Sequence, residues 1–245
     1  MEFRIHTSSF EAIQEVIMNH NHSHSDHSHE HTLFSELMCH LPYAIFSVAF
    51  GLSLLSLISY SSFGTADAAN VRRGAHVLFH SFHFMHIVFA ATGTLITFLR
   101  FSKSTIKALI VGFASPMIFC SLSDAVLPYI GGTMLGVDMH FHLCFFSELH
   151  NVLPFLLVGI LNGFIMGKYH SGSQSVYSVF SHVIHIVISS LASIFYLVSH
   201  GLTDWHSQIG YVFLFLVVAV VVPCTLSDVV IPMVLAKAGA KNEKH

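Results

Sequence analysis

Six stretches of this chain, roughly 41–60, 75–99, 108–131, 149–167, 176–199 and 209–236, are each long and apolar enough to cross a bilayer, and no other feature limits its fold so strongly. Spanning the hydrocarbon takes about 20 apolar residues. His aside, the only formal charges inside the six are Asp124 and Asp228. The segments between them are short and carry the Lys, Arg, Gly and Ser. The expected fold is all-α: a polytopic membrane protein with six transmembrane helices. Composition agrees. Only 9% of residues are charged and 23 are Phe, against about 25% charged in soluble domains. Most of this surface is therefore built for lipid, and nothing in it suits nucleic acid.

Lys and Arg set the expected orientation, because cytoplasmic loops carry the excess. Arg4, Arg100, Lys103, Lys107, Lys168, Lys237, Lys241 and Lys244 fall on the side of the N-terminus, and only Arg72 and Arg73 on the other. Both termini are thus expected in the cytoplasm, in a plasma or inner membrane. The 131–148 segment, without Lys or Arg, is expected outside.

Three motifs occur twice in the same order. Ser35-Glu36-Leu37 followed by Leu41-Pro42 matches Ser147-Glu148-Leu149 followed by Leu153-Pro154. His83-x-x-His86-Ile87-Val88 matches His182-x-x-His185-Ile186-Val187. Cys120-Ser121-Leu122-Ser123-Asp124 with Pro128 matches Cys224-Thr225-Leu226-Ser227-Asp228 with Pro232. The chain reads as residues 1–34 (an amphipathic, His-rich tail), a three-helix repeat at 35–135, a second at 136–236, and a tail at 237–245. Three helices per copy make the copies inverted repeats in the membrane. That is a recurrent transporter design, with sites formed between the repeats.

The repeated residues are the ones able to bind metal. His at i and i+3 share a helical face, as do Cys and Asp at i and i+4. Imidazole, thiolate and carboxylate together suit zinc, iron, cobalt or nickel better than calcium or magnesium. Depth along the helices groups them into two clusters, one toward each face. The outer holds His83, His86, Cys120, Asp124 and Glu148; the inner holds His182, His185, Cys224, Asp228 and Glu36. Ionisable residues inside a membrane point to function. The bland alternatives are Glu36 and Glu148 as helix-start residues beside Ser35 and Ser147, and cysteines that only pack. Pro116, Pro128, Pro223 and Pro232 flank the Asp segments and predict broken helices there, with freed backbone groups lining a cavity.

Other histidines extend the pattern. His76 and His80 continue the His83 stripe toward the outside, and Asp138, His140 and His142 form a possible capture point in the outer segment. In the tail, His20, His22, His24, His27, His29 and His31 alternate with Ser, Asp and Glu. Such tracts bind metals without a fold. The expected function is transport of a divalent transition metal ion, zinc first, with the ion and membrane lipid as partners. Assembly as a homo-oligomer or within a larger membrane complex stays open. The alternatives are a membrane-embedded metalloenzyme of zinc-hydrolase type, and a structural or haem-binding subunit of a membrane complex.

Overall fold

The computed structural model describes residues 33–61, 68–169, 174–202 and 204–242. The 20–31 histidine tract lies outside them. Among the described residues the chain is helical, without strands. Helix α1 is Leu33–Ser61 and α2 is Ala68–Phe101. The third span joins α3 (Thr105–Ser121), a π-helical turn (Leu122–Val126) and α4 (Leu127–Met134). The short α5 (Cys144–Ser147) precedes α6 (Leu149–Tyr169) and α7 (Gln174–Ser199). The last span joins α8 (Ile209–Thr225), a second π turn (Leu226–Val230) and α9 (Ile231–Asn242). Six helical spans, Glu36–Tyr60, Ala69–Phe101, Thr105–Met134, Leu149–Lys168, Ser181–Ser199 and His206–Ala238, are long and apolar enough to cross a membrane. They coincide with the six stretches read from the sequence.

Outward faces carry large apolar side chains such as Phe46, Leu57, Ile106, Leu161 and Leu214, the surface a lipid-facing helix presents. α2 and α7 lie at the centre and cross antiparallel. Phe79 packs on Tyr196, Phe82 on Phe195 and His86 on His185, with ring centroids 5.1, 5.8 and 4.5 Å apart. α6 approaches α2 along Gly159, Gly163 and Gly167. A Cβ at Gly159 would sit 2.6 Å from the Val88 carbonyl, and one at Gly163 2.7 Å from Leu95 Cβ. Between membrane helices, where burial in lipid gives no drive, such close backbone approach supplies the packing.

The two π turns have a legible cause. In an i→i−5 turn the residue-128 N–H would bond the Ser123 carbonyl, and residue 232 would bond Ser227. Both positions are Pro and lack the donor. Hydroxyls from the other half of the chain replace it. Ser193 Oγ on α7 donates to Ser123 O at 3.0 Å. Thr94 Oγ1 on α2 donates to Ser227 O at 3.0 Å, and Ser115 Oγ does so at 3.2 Å. The prolines therefore widen these helices by one π turn rather than break them. Each widened turn carries its Asp inward.

Candidate metal centre

α2 begins at Ala68, seven residues before the apolar stretch at 75, and His83 and His86 sit near its middle. His185 is likewise near the middle of α7. The two expected clusters consequently meet as one. Asp124 Oδ2 accepts from His83 Nδ1 at 2.9 Å and from His86 Nδ1 at 2.7 Å. Asp228 Oδ2 accepts from His185 Nδ1 at 2.5 Å, with His182 Nδ1 at 3.5 Å. His86 Nε2 and His185 Nε2 then face each other at 2.6 Å. The result is a buried chain Asp124–His86–His185–Asp228 joining the two duplicated motifs.

Cys224 Sγ lies 3.7 Å from His86 Nε2. The ligand atoms of His86, His185 and Cys224 are all within 4.8 Å of one another, and all three residues are buried. Cys120 is buried on the adjoining turn of α3. Both aspartates stand behind the imidazoles, hydrogen-bonded to Nδ1, where they fix the tautomer and aim Nε2 inward. Metal-ligating histidines commonly have a carboxylate in this place. Sequence reasoning made Asp124 and Asp228 ligands; the fold gives them the orienting position.

With each Nδ1–H donated to a carboxylate, the two Nε2 lone pairs point at each other. At 2.6 Å, only a proton or a cation between them makes that contact favourable. Tetrahedral zinc, with Zn–N about 2.0–2.1 Å and Zn–S about 2.3 Å, places two nitrogens about 3.3 Å apart and nitrogen and sulfur about 3.6 Å apart. The 3.7 Å nitrogen–sulfur distance fits directly. The two rings would have to part by less than about 1 Å.

The two halves differ in detail. Asp124 Oδ1 accepts from Ser123 Oγ at 2.8 Å and Ser189 Oγ at 3.0 Å. Asp228 Oδ1 is buried without a hydrogen-bond partner, and so is His182 Nε2. Gly93 makes room for Asp228, since a Cβ there would lie 2.8 Å from Oδ2.

Glu148 stands apart from this centre. Glu148 Oε1 is 3.1 Å from His80 Nε2 and 3.9 Å from His142 Nε2, two turns of α2 away from His86. The Glu36 carbonyl accepts from His40 Nδ1, and the His40 ring packs on His182 with centroids 4.2 Å apart. Sequence reasoning missed His40, Cys144, His200, Thr94, Ser189 and Ser193. His40 falls at an unmatched position of the Ser35–Pro42 motif, and the others lie outside the duplicated motifs. Their signal is only visible once α2 and α7 are paired.

At the far end, α4 and α7 close with Gly136 at φ +77° and Gly201 at φ +135°. The left-handed glycine lets Val137 N–H reach back to Gly132 O and Leu202 N–H to Leu197 O, the usual helix stop. These stops bring His142 and His200 to the start of α2, with ring centroids 6.4 and 6.2 Å from His76. Burial lowers the His142 pKa, with His80 adding to the effect. Burial also pulls His200 down to about 4, although its bond to the Tyr196 carbonyl opposes the shift. Cys144 is pushed up to about 12 by burial and then by Glu148.

No family model, curated protein or solved structure matches this chain.

Proposed function

We propose that the protein is a multi-pass membrane transporter for a divalent transition metal ion of the zinc, cobalt, nickel or iron class, with the ion held in passage by His86, His185 and Cys224. The observation that carries this reading is the facing pair of imidazoles, each backed by a buried carboxylate and flanked by a thiol. Zinc, cobalt and nickel favour such nitrogen and sulfur donors. Two buried carboxylates supply negative charge for a cation, and a lone charge at this depth is costly.

A route leads to the centre from both ends. On α2, His76, His80, His83 and His86 follow one stripe, about 15 Å long at 1.5 Å per residue. The His76 and His80 rings are 4.4 Å apart. On the other side, His185 is followed by His182 at 6.0 Å and then by His40 at 4.2 Å. A static structural site needs no such approach.

The duplication supplies a way to alternate access. The antiparallel crossing of α2 and α7 and the exchanged hydroxyl caps on the π turns support an inverted relation between the copies, which would rock about the shared centre. π turns are frequent at functional positions. Metal ligands must be deprotonated, so binding releases protons and acidification releases metal. The Lys and Arg distribution supports a cytoplasmic position for the His40 end.

Reconstituted vesicles with an entrapped zinc-responsive dye test this reading. The native chain should carry zinc down its gradient, and His86→Ala and His185→Ala should each abolish the flux. Flux equal to the native rate in both variants, or none in the native chain with any of the four metals, would refute it.

A further inference from the structure

A second group of ligand atoms lies outside the central site. The ligand atoms of His80, His142 and Cys144 are all within 4.8 Å of one another. Three different elements bring them there: α2, the 137–143 connection and the first residue of α5. Glu148 Oε1 is within 3.9 Å of both imidazoles. A groove lined by His76, His80, Glu148 and Phe155 opens onto the group, which gives an ion a way in.

Hydrogen bonding fixes how His80 presents itself. Its Nδ1–H donates to the His76 carbonyl at 2.9 Å, so in the neutral ring Nε2 carries the lone pair. That atom is buried without a hydrogen-bond partner, yet it sits 3.1 Å from Glu148 Oε1. The distance is short, but no hydrogen bond joins the two atoms. A nitrogen lone pair and a carboxylate oxygen repel at this separation unless a cation or a second ring proton lies between them. Cys144 adds a buried sulfur to the same space.

We infer that His80, His142, Cys144 and Glu148 form a separate binding site for a divalent transition metal ion at the mouth of the α2 histidine stripe. Two nitrogens, one sulfur and one oxygen make a four-coordinate set suited to zinc or cobalt, and unsuited to calcium or magnesium. The thiol gives up its proton to the solvent as the metal–sulfur bond forms, as metal binding at cysteine requires. This site does not depend on transport through the centre.

Cobalt(II) absorption distinguishes it from every other metal binder in the chain. The tail histidines hold no sulfur, and the chain has four cysteines. In the full-length Cys39→Ser/Cys120→Ser/Cys224→Ser protein the remaining thiol is Cys144. Cobalt should still give a sulfur-to-metal charge-transfer band there, and His80→Gln or His142→Gln should weaken its binding at least about tenfold. In the otherwise native chain, Cys144→Ser should lower the intensity of that band, leaving the part that Cys224 contributes. A missing band in the first protein, together with an unchanged spectrum on Cys144→Ser in the second, would overturn the proposal. Loss of band intensity on Cys224→Ser alone reports the central site instead, so the two assignments fail separately.

Discussion

Asp124 and Asp228 occupy matching places in the duplicated motif, yet their surroundings are unequal. Asp124 receives two imidazole N–H groups and two hydroxyls. Asp228 has the His185 bond, a longer His182 contact, and one oxygen left without a partner. Removing one member of a buried, paired network typically costs about 3–5 kcal/mol, and the better-satisfied carboxylate has more to lose. Asp124→Ala should therefore lower the thermal midpoint in detergent clearly more than Asp228→Ala. Asp124→Asn and Asp228→Asn should each weaken metal binding by about 10–100-fold, the usual effect of losing a carboxylate behind a ligating histidine. Titration with cobalt reads the affinity and a melting scan the stability. Equal destabilisation by the two Ala variants would contradict the asymmetry.

Among the elements, the π turns and the α2–α7 pair do most to place the centre. Gly93 on α2 shows how tight the fit is. A methyl group there would meet Asp228 Oδ2 at 2.8 Å and Cγ at 3.1 Å, and Asp228 is held by His185. Overpacking of this kind costs about 1–3 kcal/mol. Gly93→Ala should shift Asp228, lower metal affinity and reduce stability by that amount; an affinity equal to the native value would show that Asp228 has room to move. Much of this was open to reading in the sequence. The apolar stretches are long enough to fix six spans whatever their neighbours, and the repeated His, Cys and Asp marked the centre. Depth was less legible. α2 extends seven residues beyond its apolar stretch, because Asn70, Arg72 and Arg73 lie at its exposed start and do not interrupt the helix. His86 lies mid-span with or without that extension; the two expected clusters merge because His185 is also near mid-span and the antiparallel crossing of α2 and α7 sets the two rings together. The hydroxyl caps were hidden for another reason. Thr94 and Ser193 look like ordinary polar residues in an apolar helix until the prolines of the partner helix remove the N–H they replace.

For the whole molecule, the duplication places one set of ligand groups on each side of a shared middle. His86 belongs to the first copy; His185 and Cys224 belong to the second. A centre drawn from both copies can be opened from either side by relative movement of the halves, whereas a centre inside one copy would move with it. On the proposed transport reading, the His80 group and the His40–His182 pair stand at opposite ends of the route. The central claim is that metal sits between the halves with sulfur from Cys224. X-ray absorption at the zinc edge tests it on full-length protein carrying Cys144→Ser, loaded with one equivalent of zinc. The expected spectrum has one sulfur near about 2.3 Å beside nitrogens at about 2.0–2.1 Å, and the sulfur disappears when Cys224→Ser is added. A shell of nitrogen and oxygen alone in the first protein would contradict the account.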